Sequence, residues 1–342
     1  MLKIILPLAL ATTGLQPVSA ACTPVAPPST IGSAAQQYLA SREDRRFIPA
    51  LPTTPEGWQE VQTRSARAGE RWIAGLVGAG EIEVQWIDLG GVRSAIVTPA
   101  NGTAQDGPIV FNLHGGGYAL NGGNASLYSA AAFALGPGLA SVTVDYRLTP
   151  HAPYPAALED AVAAYRALLE RHDASQVAVY GLSAGGGLGA AFLLEIERLG
   201  LPMPSSAVLN SPWVDLTNEG DTVALLDCHD PLLGRSRAVI DELGVLYAGN
   251  RDLRDPGVSP LFADWTRIDV PVLLITGTRD LLMSDTVRLH RKMWDSGLDA
   301  DLIVHEGMWH AFSVEGEFDH MLAQVAAYVR ARAQEARGES LP

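Results

Sequence analysis

Residues 177–189 decide how the rest of the chain is read: Val177-Ala-Val-Tyr180-Gly181-Leu182-Ser183-Ala184-Gly185-Gly186-Gly187-Leu188-Gly189. Val177, Val179 and Tyr180 are β-branched or aromatic and suit a short buried strand. The turn after them leads into a stretch rich in Ala and Leu from about Ala190, which suits a helix. Glycines two residues before and two after a serine fit a sharp strand-to-helix turn, where any side chain would strike the strand or the helix. Such a turn lifts Oγ of Ser183 clear of the sheet edge, at the positive end of a helix. With 34 glycines in the chain the pattern also arises by accident, so partners elsewhere must support it.

On both sides of this turn strands alternate with helices. Apolar or β-branched runs at 108–113, 140–145, 206–210, 270–276 and 301–305 read as strands, and 128–135, 156–171, 187–199 and 285–296 as helices. Met321, Leu322, Val325, Tyr328 and Val329 give the tail 321–337 one apolar helical face. The alternation implies an α/β fold: a mostly parallel sheet covered by helices on both faces. Ile82, Val84 and Trp86 alternate with polar residues, which predicts an antiparallel opening pair of strands. Upstream, 58–68 and 68–77 show helical spacing, with Trp58, Val61, Trp72, Ile73 and Leu76 available for a buried face. Residues 214–263 hold no clear strand and read as a helical insertion that, with the N-terminal helices, forms a cap over the sheet edge.

The chain has 342 residues, 47% hydrophobic and 18% charged, enough for one large catalytic unit. Its 38 acidic residues exceed its 24 basic ones, for a net charge of -14, and no Lys/Arg cluster occurs. Nucleic-acid binding is thereby disfavoured. At the N-terminus, Lys3, an apolar run at 4–11 and Val18-Ser19-Ala20 predict a secretory signal peptide over 1–20. A secreted or periplasmic location follows. The run is too short to span a bilayer, and stable membrane insertion is not expected beyond a lipid anchor at Cys22. That cysteine follows small residues as in a lipoprotein box, without the usual Leu three residues before it. A Cys22–Cys228 disulfide and a free thiol are the alternatives. Residues 21–78 then read as linker and N-terminal cap helices, and 79–342 as the catalytic domain carrying the insertion at about 214–263.

In sheets of this kind ligands collect beyond the carboxyl ends of the strands, and four features fall there. Ser183 is the first. His114-Gly115-Gly116-Gly117 follows the 108–113 strand, and its consecutive glycines let the N–H groups of Gly115 and Gly116 join that of Ala184 around a substrate oxygen. His114 braces this loop. Asp280 ends Leu273-Leu-Ile-Thr-Gly-Thr-Arg-Asp280 and is placed to accept an imidazole N–H; Asp285 nearby reads as a helix start or N-cap. His310 sits in the loop His305-Glu-Gly-Met-Trp-His310-Ala-Phe312, further out than His305 and better placed as a base. The chain order Ser, Asp, His is that of α/β-hydrolases. The histidine spacing is not that of a zinc protease, no Cys-x-x-Cys occurs, and no metal or cofactor is expected. Tyr118, Tyr128, Trp213 and Phe312 adjoin these motifs as pocket lining or as core.

Six blocks in order resemble the hormone-sensitive-lipase-like esterases of the α/β-hydrolase superfamily over about residues 80–335. They are His114-Gly-Gly-Gly, Asp145-Tyr-Arg-Leu-Thr-Pro150 with the 153–160 run, Gly181-Leu-Ser-Ala-Gly-Gly, Ser211-Pro-Trp-Val-Asp-Leu-Thr217, Asp255-Pro with Ser259-Pro-Leu261, and Glu306-Gly-Met-Trp-His-Ala-Phe312. The resemblance implies a triad of Ser183, Asp280 and His310, oxyanion donors at Gly115, Gly116 and Ala184, and a small-molecule ester substrate. It points to short- to medium-chain acyl esters or lactones, and a homodimer fits the family. Three departures stand out: Leu182 where the family usually has Asp, Leu281-Leu282 after the acid in place of Pro-Leu, and Ala311 in place of Gly. Two other readings use the same scaffold: an amidase or peptidase with the same triad, and a silent ligand-binding relative such as the plant hormone receptor that lacks the histidine. Retention of Ser183, Asp280 and His310 disfavours the second.

Overall fold

The structure, a computed structural model, describes residues 25–41, 50–100 and 107–339. The proposed signal peptide and Cys22 lie outside the described residues. Cys228 is disulfide-bonded.

Among the described residues eight strands form one sheet: β1 (Ile82–Leu89), β2 (Val92–Pro99), β3 (Ile109–Leu113), β4 (Ser141–Val144), β5 (Val177–Leu182), β6 (Ser206–Asn210), β7 (Val272–Gly277) and β8 (Ala300–His305). Their order is β1-β2-β4-β3-β5-β6-β7-β8. β1 and β2 pair antiparallel around Gly90-Gly91, both at positive φ, and β2 meets β4 antiparallel. From β4 to β8 every pairing is parallel. β3, β4, β6 and β7 are buried at every position, as the unbroken apolar runs require of strands covered on both faces. The strand runs expected at 108–113, 140–145, 206–210, 270–276 and 301–305 agree with β3, β4, β6, β7 and β8 to within a residue or two.

The helices are α1 (Ser33–Ala40), α2 (Pro55–Gly78), α3 (Tyr128–Leu135), α4 (Ala156–Leu169), α5 (Ala184–Arg198), α6 (Asp221–Leu225), α7 (Arg237–Ala248), α8 (Met283–Asp295) and α9 (Glu317–Ala336). Alternating side chains split the core. Phe111, Val179 and Leu274 face α4, α5 and α8, where Tyr165, Phe192 and Leu289 meet them. Val110, Tyr180 and Ile275 face the other side, covered by α1, α3 and α9 through Leu39, Phe133 and Val325. None of the described helices is long and apolar enough to cross a membrane.

Two local expectations change. The helical runs 58–68 and 68–77 form the single helix α2, since nothing between them breaks the backbone ladder. Gly69 within it lets α2 approach the turn at 123–127, where an added Cβ would lie 2.8 Å from Cα of Ala125. Trp72 is 40% exposed and leans on Tyr128, with ring centroids 5.1 Å apart, so it does not join the buried face. Residues 214–263 contain α6, α7 and loops, and a buried carboxylate ties the start of this segment to α8. Asp285 lies in the first turn of α8 but does not cap it. It accepts the backbone N–H groups of Val214 (3.1 Å) and Asp215 (3.0 Å), and Arg288 bridges it to Asp215.

Candidate active site

β5 ends at Leu182 and α5 begins at Ala184, so Ser183 is the whole junction. Its φ of 59° and ψ of -122° are strained for a residue with a side chain. β6, the loop after it and α5 hold that strain: Ser183 N–H donates to the carbonyl of Asn210 (2.9 Å), and the Ser183 carbonyl accepts from Trp213 N–H (3.0 Å) and Gly187 N–H (3.0 Å). The flanking glycines are sterically required. A Cβ on Gly185 would lie 2.0 Å from the Leu113 carbonyl oxygen, and one on Gly181 would lie 2.2 Å from that of Gly185. Gly185→Ala should therefore cost about 3 kcal/mol or more, read as a fall in the urea midpoint; an unchanged midpoint would contradict this packing.

His310 Nε2 lies 2.8 Å from Ser183 Oγ, and His310 Nδ1 lies 3.0 Å from Asp280 Oδ1. Three residues separated by 97 and 30 positions thus form one hydrogen-bonded chain at the carboxyl edge of the sheet. Asp280 follows β7 and is fully buried; Thr276 Oγ1 donates to its Oδ2 (2.9 Å) and Leu282 N–H to its Oδ1 (2.9 Å). Burial opposes charge on Asp280, but the field and hydrogen bond of His310, with the other donors, outweigh it and hold its pKa below the usual value. Burial likewise opposes charge on His310, and the carboxylates of Asp280 and Asp230 outweigh it, so its pKa stands above the usual 6.5. His305, at the end of β8, packs on Phe312 (5.2 Å between ring centroids).

The glycine loop closes the other side. A Cβ on Gly115 would lie 3.2 Å from that of Ser183, so this backbone packs against the serine's own side chain. Gly116 and Gly117 have φ of 117° and 61°, which favour glycine. His114 lies within this loop: its Nδ1 is 2.8 Å from the Gly115 carbonyl oxygen, and its ring stacks on Tyr146 at 4.0 Å. Burial lowers its pKa, and the neutral ring donates Nδ1–H to that carbonyl. A cavity of about 130 Å³ lies over Ser183 and His310, walled by Gly115, Gly116 and Leu182 and by Trp213, Leu233 and Leu243. Of the aromatic candidates, Trp213 and Tyr128 line it. Tyr118 is core: it is buried and stacks on Tyr247 at 3.6 Å, because a φ of 60° turns it from the loop into the body. Phe312 lines an adjoining cavity, as does Leu182, which lines both.

One group at this site escapes sequence reasoning. Asp230, from the 214–263 segment, is buried and accepts four backbone N–H groups. Oδ1 takes those of Leu232 (2.8 Å) and Leu233 (2.9 Å); Oδ2 takes those of Leu281 (2.8 Å) and His310 (3.2 Å). A single carboxylate thereby ties the insertion to the loops that carry Asp280 and His310. Burial and the neighbouring charge of Asp280 hold its pKa above the usual carboxylate value, while the four donors favour its ionised form. Its negative charge favours protonated His310. A base at His310 must be neutral to accept a proton, so activity that depends on it should rise through a His310 pKa above 6.5. Asp230→Asn removes one negative charge and should move that acid limb of kcat/KM to lower pH; an unmoved limb would contradict the coupling.

An arrangement of this kind defines a serine hydrolase. A family model described as alpha/beta hydrolase fold matches residues 110–314. The chain is 34% identical to an acetyl-hydrolase of Streptomyces hygroscopicus over 227 residues, 66% of this chain and 74% of that one. Among solved structures it resembles esterase E25, with a TM-score of 0.83 at 29% identity over 91% of this chain and 97% of that one. It also resembles a hormone-sensitive lipase from a metagenome library, with a TM-score of 0.73 at 30% identity over 84% and 94% of the two chains. The chain belongs to the hormone-sensitive-lipase-like esterases of the α/β-hydrolase superfamily. It is a carboxylic ester hydrolase.

Proposed function

We propose that the protein cleaves short- to medium-chain acyl esters in two steps through an acyl-enzyme on Ser183. The observation that carries this reading is the hydrogen-bonded chain from Ser183 Oγ through His310 to Asp280, with the Gly115 backbone against the serine. His310 takes the Oγ proton as Ser183 attacks the acyl carbonyl, and Asp280 steadies the imidazolium. The tetrahedral oxyanion lies against the N–H groups of Gly115, Gly116 and Ala184, each contributing about 3 kcal/mol to the transition state. His310 then returns the proton to the leaving alcohol oxygen and activates the water that releases the acid.

The size of the cavity supports a short acyl group. A cavity of about 150 Å³ takes a benzene molecule, and the space above Ser183 is about 130 Å³. Turnover of p-nitrophenyl acetate or butyrate, set against the matching p-nitroanilides, tests the reading: ester cleavage with little or no anilide cleavage is expected. Preferred anilide cleavage would overturn it in favour of an amidase using the same atoms.

A further inference from the structure

A second cavity adjoins the first. It measures about 730 Å³ and lies between α3, the loop after His310 and the start of α9. That volume is within the range of roughly 300–1,000 Å³ typical of small-molecule sites, whereas the space above Ser183 falls below it. The two cavities share Tyr128, Ser129, Leu182 and Ala311, which form the partition between them. Phe133, Phe312 and Leu322 make much of the remaining wall apolar. At its mouth, Trp72, Tyr128 and Leu135 are each about two-fifths exposed, an apolar rim facing solvent. Exposed apolar groups gathered at one opening mark a place where an apolar partner enters.

Leu182 is the last residue of β5. Among the shared residues it stands directly before Ser183, so its side chain decides whether the partition is apolar or charged. A carboxylate there would need water or a cation beside it; leucine needs neither.

Resting on the esterase reading above, we propose that this second cavity receives the apolar alcohol portion of the substrate, and that Leu182 admits it. The leaving oxygen must come within hydrogen-bond reach of His310 Nε2, so the alcohol portion begins beside His310. Ala311, Phe312 and Ser313, which follow His310, line the second cavity. The acyl group is left the small space under Trp213, Leu233 and Leu243. The preferred substrates are then esters of a short acid with a large apolar alcohol.

Two ester series test this. Acetates of linear alcohols from ethanol to octanol should rise in kcat/KM, by up to about fourfold for each methylene that reaches the cavity. Ethyl esters of acids from acetate to octanoate should fall once the acyl chain passes about butyrate. Ala132→Phe puts a ring into the second cavity from α3 and should flatten the rise along the acetates. Leu182→Asp, which puts a charge into the partition, should flatten it as well and serves if the first variant does not fold. A flat acetate series, a rise along the acyl series instead, or a rise that survives these variants would overturn the proposal. Failure of the parent protein to cleave any ester in either series would refute the esterase reading itself, a separate outcome.

Discussion

Ser183→Ala is expected to keep the fold and to lose about 10⁶-fold in kcat for ester hydrolysis. The substitution removes only Oγ, and the strained backbone at 183 is held by bonds to Asn210, Trp213 and Gly187 that do not involve the side chain. Unfolding midpoints should therefore stay close to those of the parent. What remains is catalysis by the N–H groups of Gly115, Gly116 and Ala184 and by substrate binding, roughly 10³-fold over water. Stopped assays with p-nitrophenyl acetate measure the loss. Activity within tenfold of the parent would show that another group attacks the ester.

Asp280→Asn is the next largest, at about 10⁴-fold in kcat. Asp280 is fully buried with Oδ1 toward His310 Nδ1 and Oδ2 toward Thr276 Oγ1. An asparagine fills the same space but presents either an uncharged oxygen or an N–H to the imidazole. In the second case the ring turns its protonated nitrogen toward Ser183 and no base faces Oγ. In both cases the imidazolium formed on serine attack loses its buried counter-charge. The His310 pKa should fall as well, so residual activity should extend to lower pH than in the parent. A loss of less than tenfold would mean that Asp230 alone supports the imidazolium.

Much of this site was legible because its parts sit at strand ends, and strand ends are readable from runs of apolar residues. Ser183 follows β5, the glycine loop follows β3, Asp280 comes three residues past β7, and His310 lies in the loop after β8. Sequence order and strand assignment place all four at one edge. Side-chain direction was less accessible. Tyr118 adjoins the glycine loop yet turns into the core, since a positive φ at a tyrosine leaves no mark in the sequence. Trp72 has the helical spacing of a buried residue, but it lies at the rim of an open cavity, and periodicity does not reveal what covers a helix. Asp230 was illegible for another reason. Its partners at Leu281 and His310 are backbone N–H groups 51 and 80 residues away, and any residue type could supply them. An acid in a loop with charged neighbours reads as solvated until the packing shows it buried.

Leu182 gained meaning in the same way. As sequence it is an apolar residue at a strand-to-helix turn; in three dimensions it lines both a cavity of about 130 Å³ and one of about 730 Å³.

Acylation at Ser183 is tested most directly by treating the protein with an organophosphate such as diethyl p-nitrophenyl phosphate and locating the adduct by peptide mass spectrometry. One equivalent of p-nitrophenol should be released, with loss of esterase activity in step and the diethylphosphoryl group on Ser183. Inactivation with the group on any other residue, or full activity retained after Ser183 is modified, would contradict it.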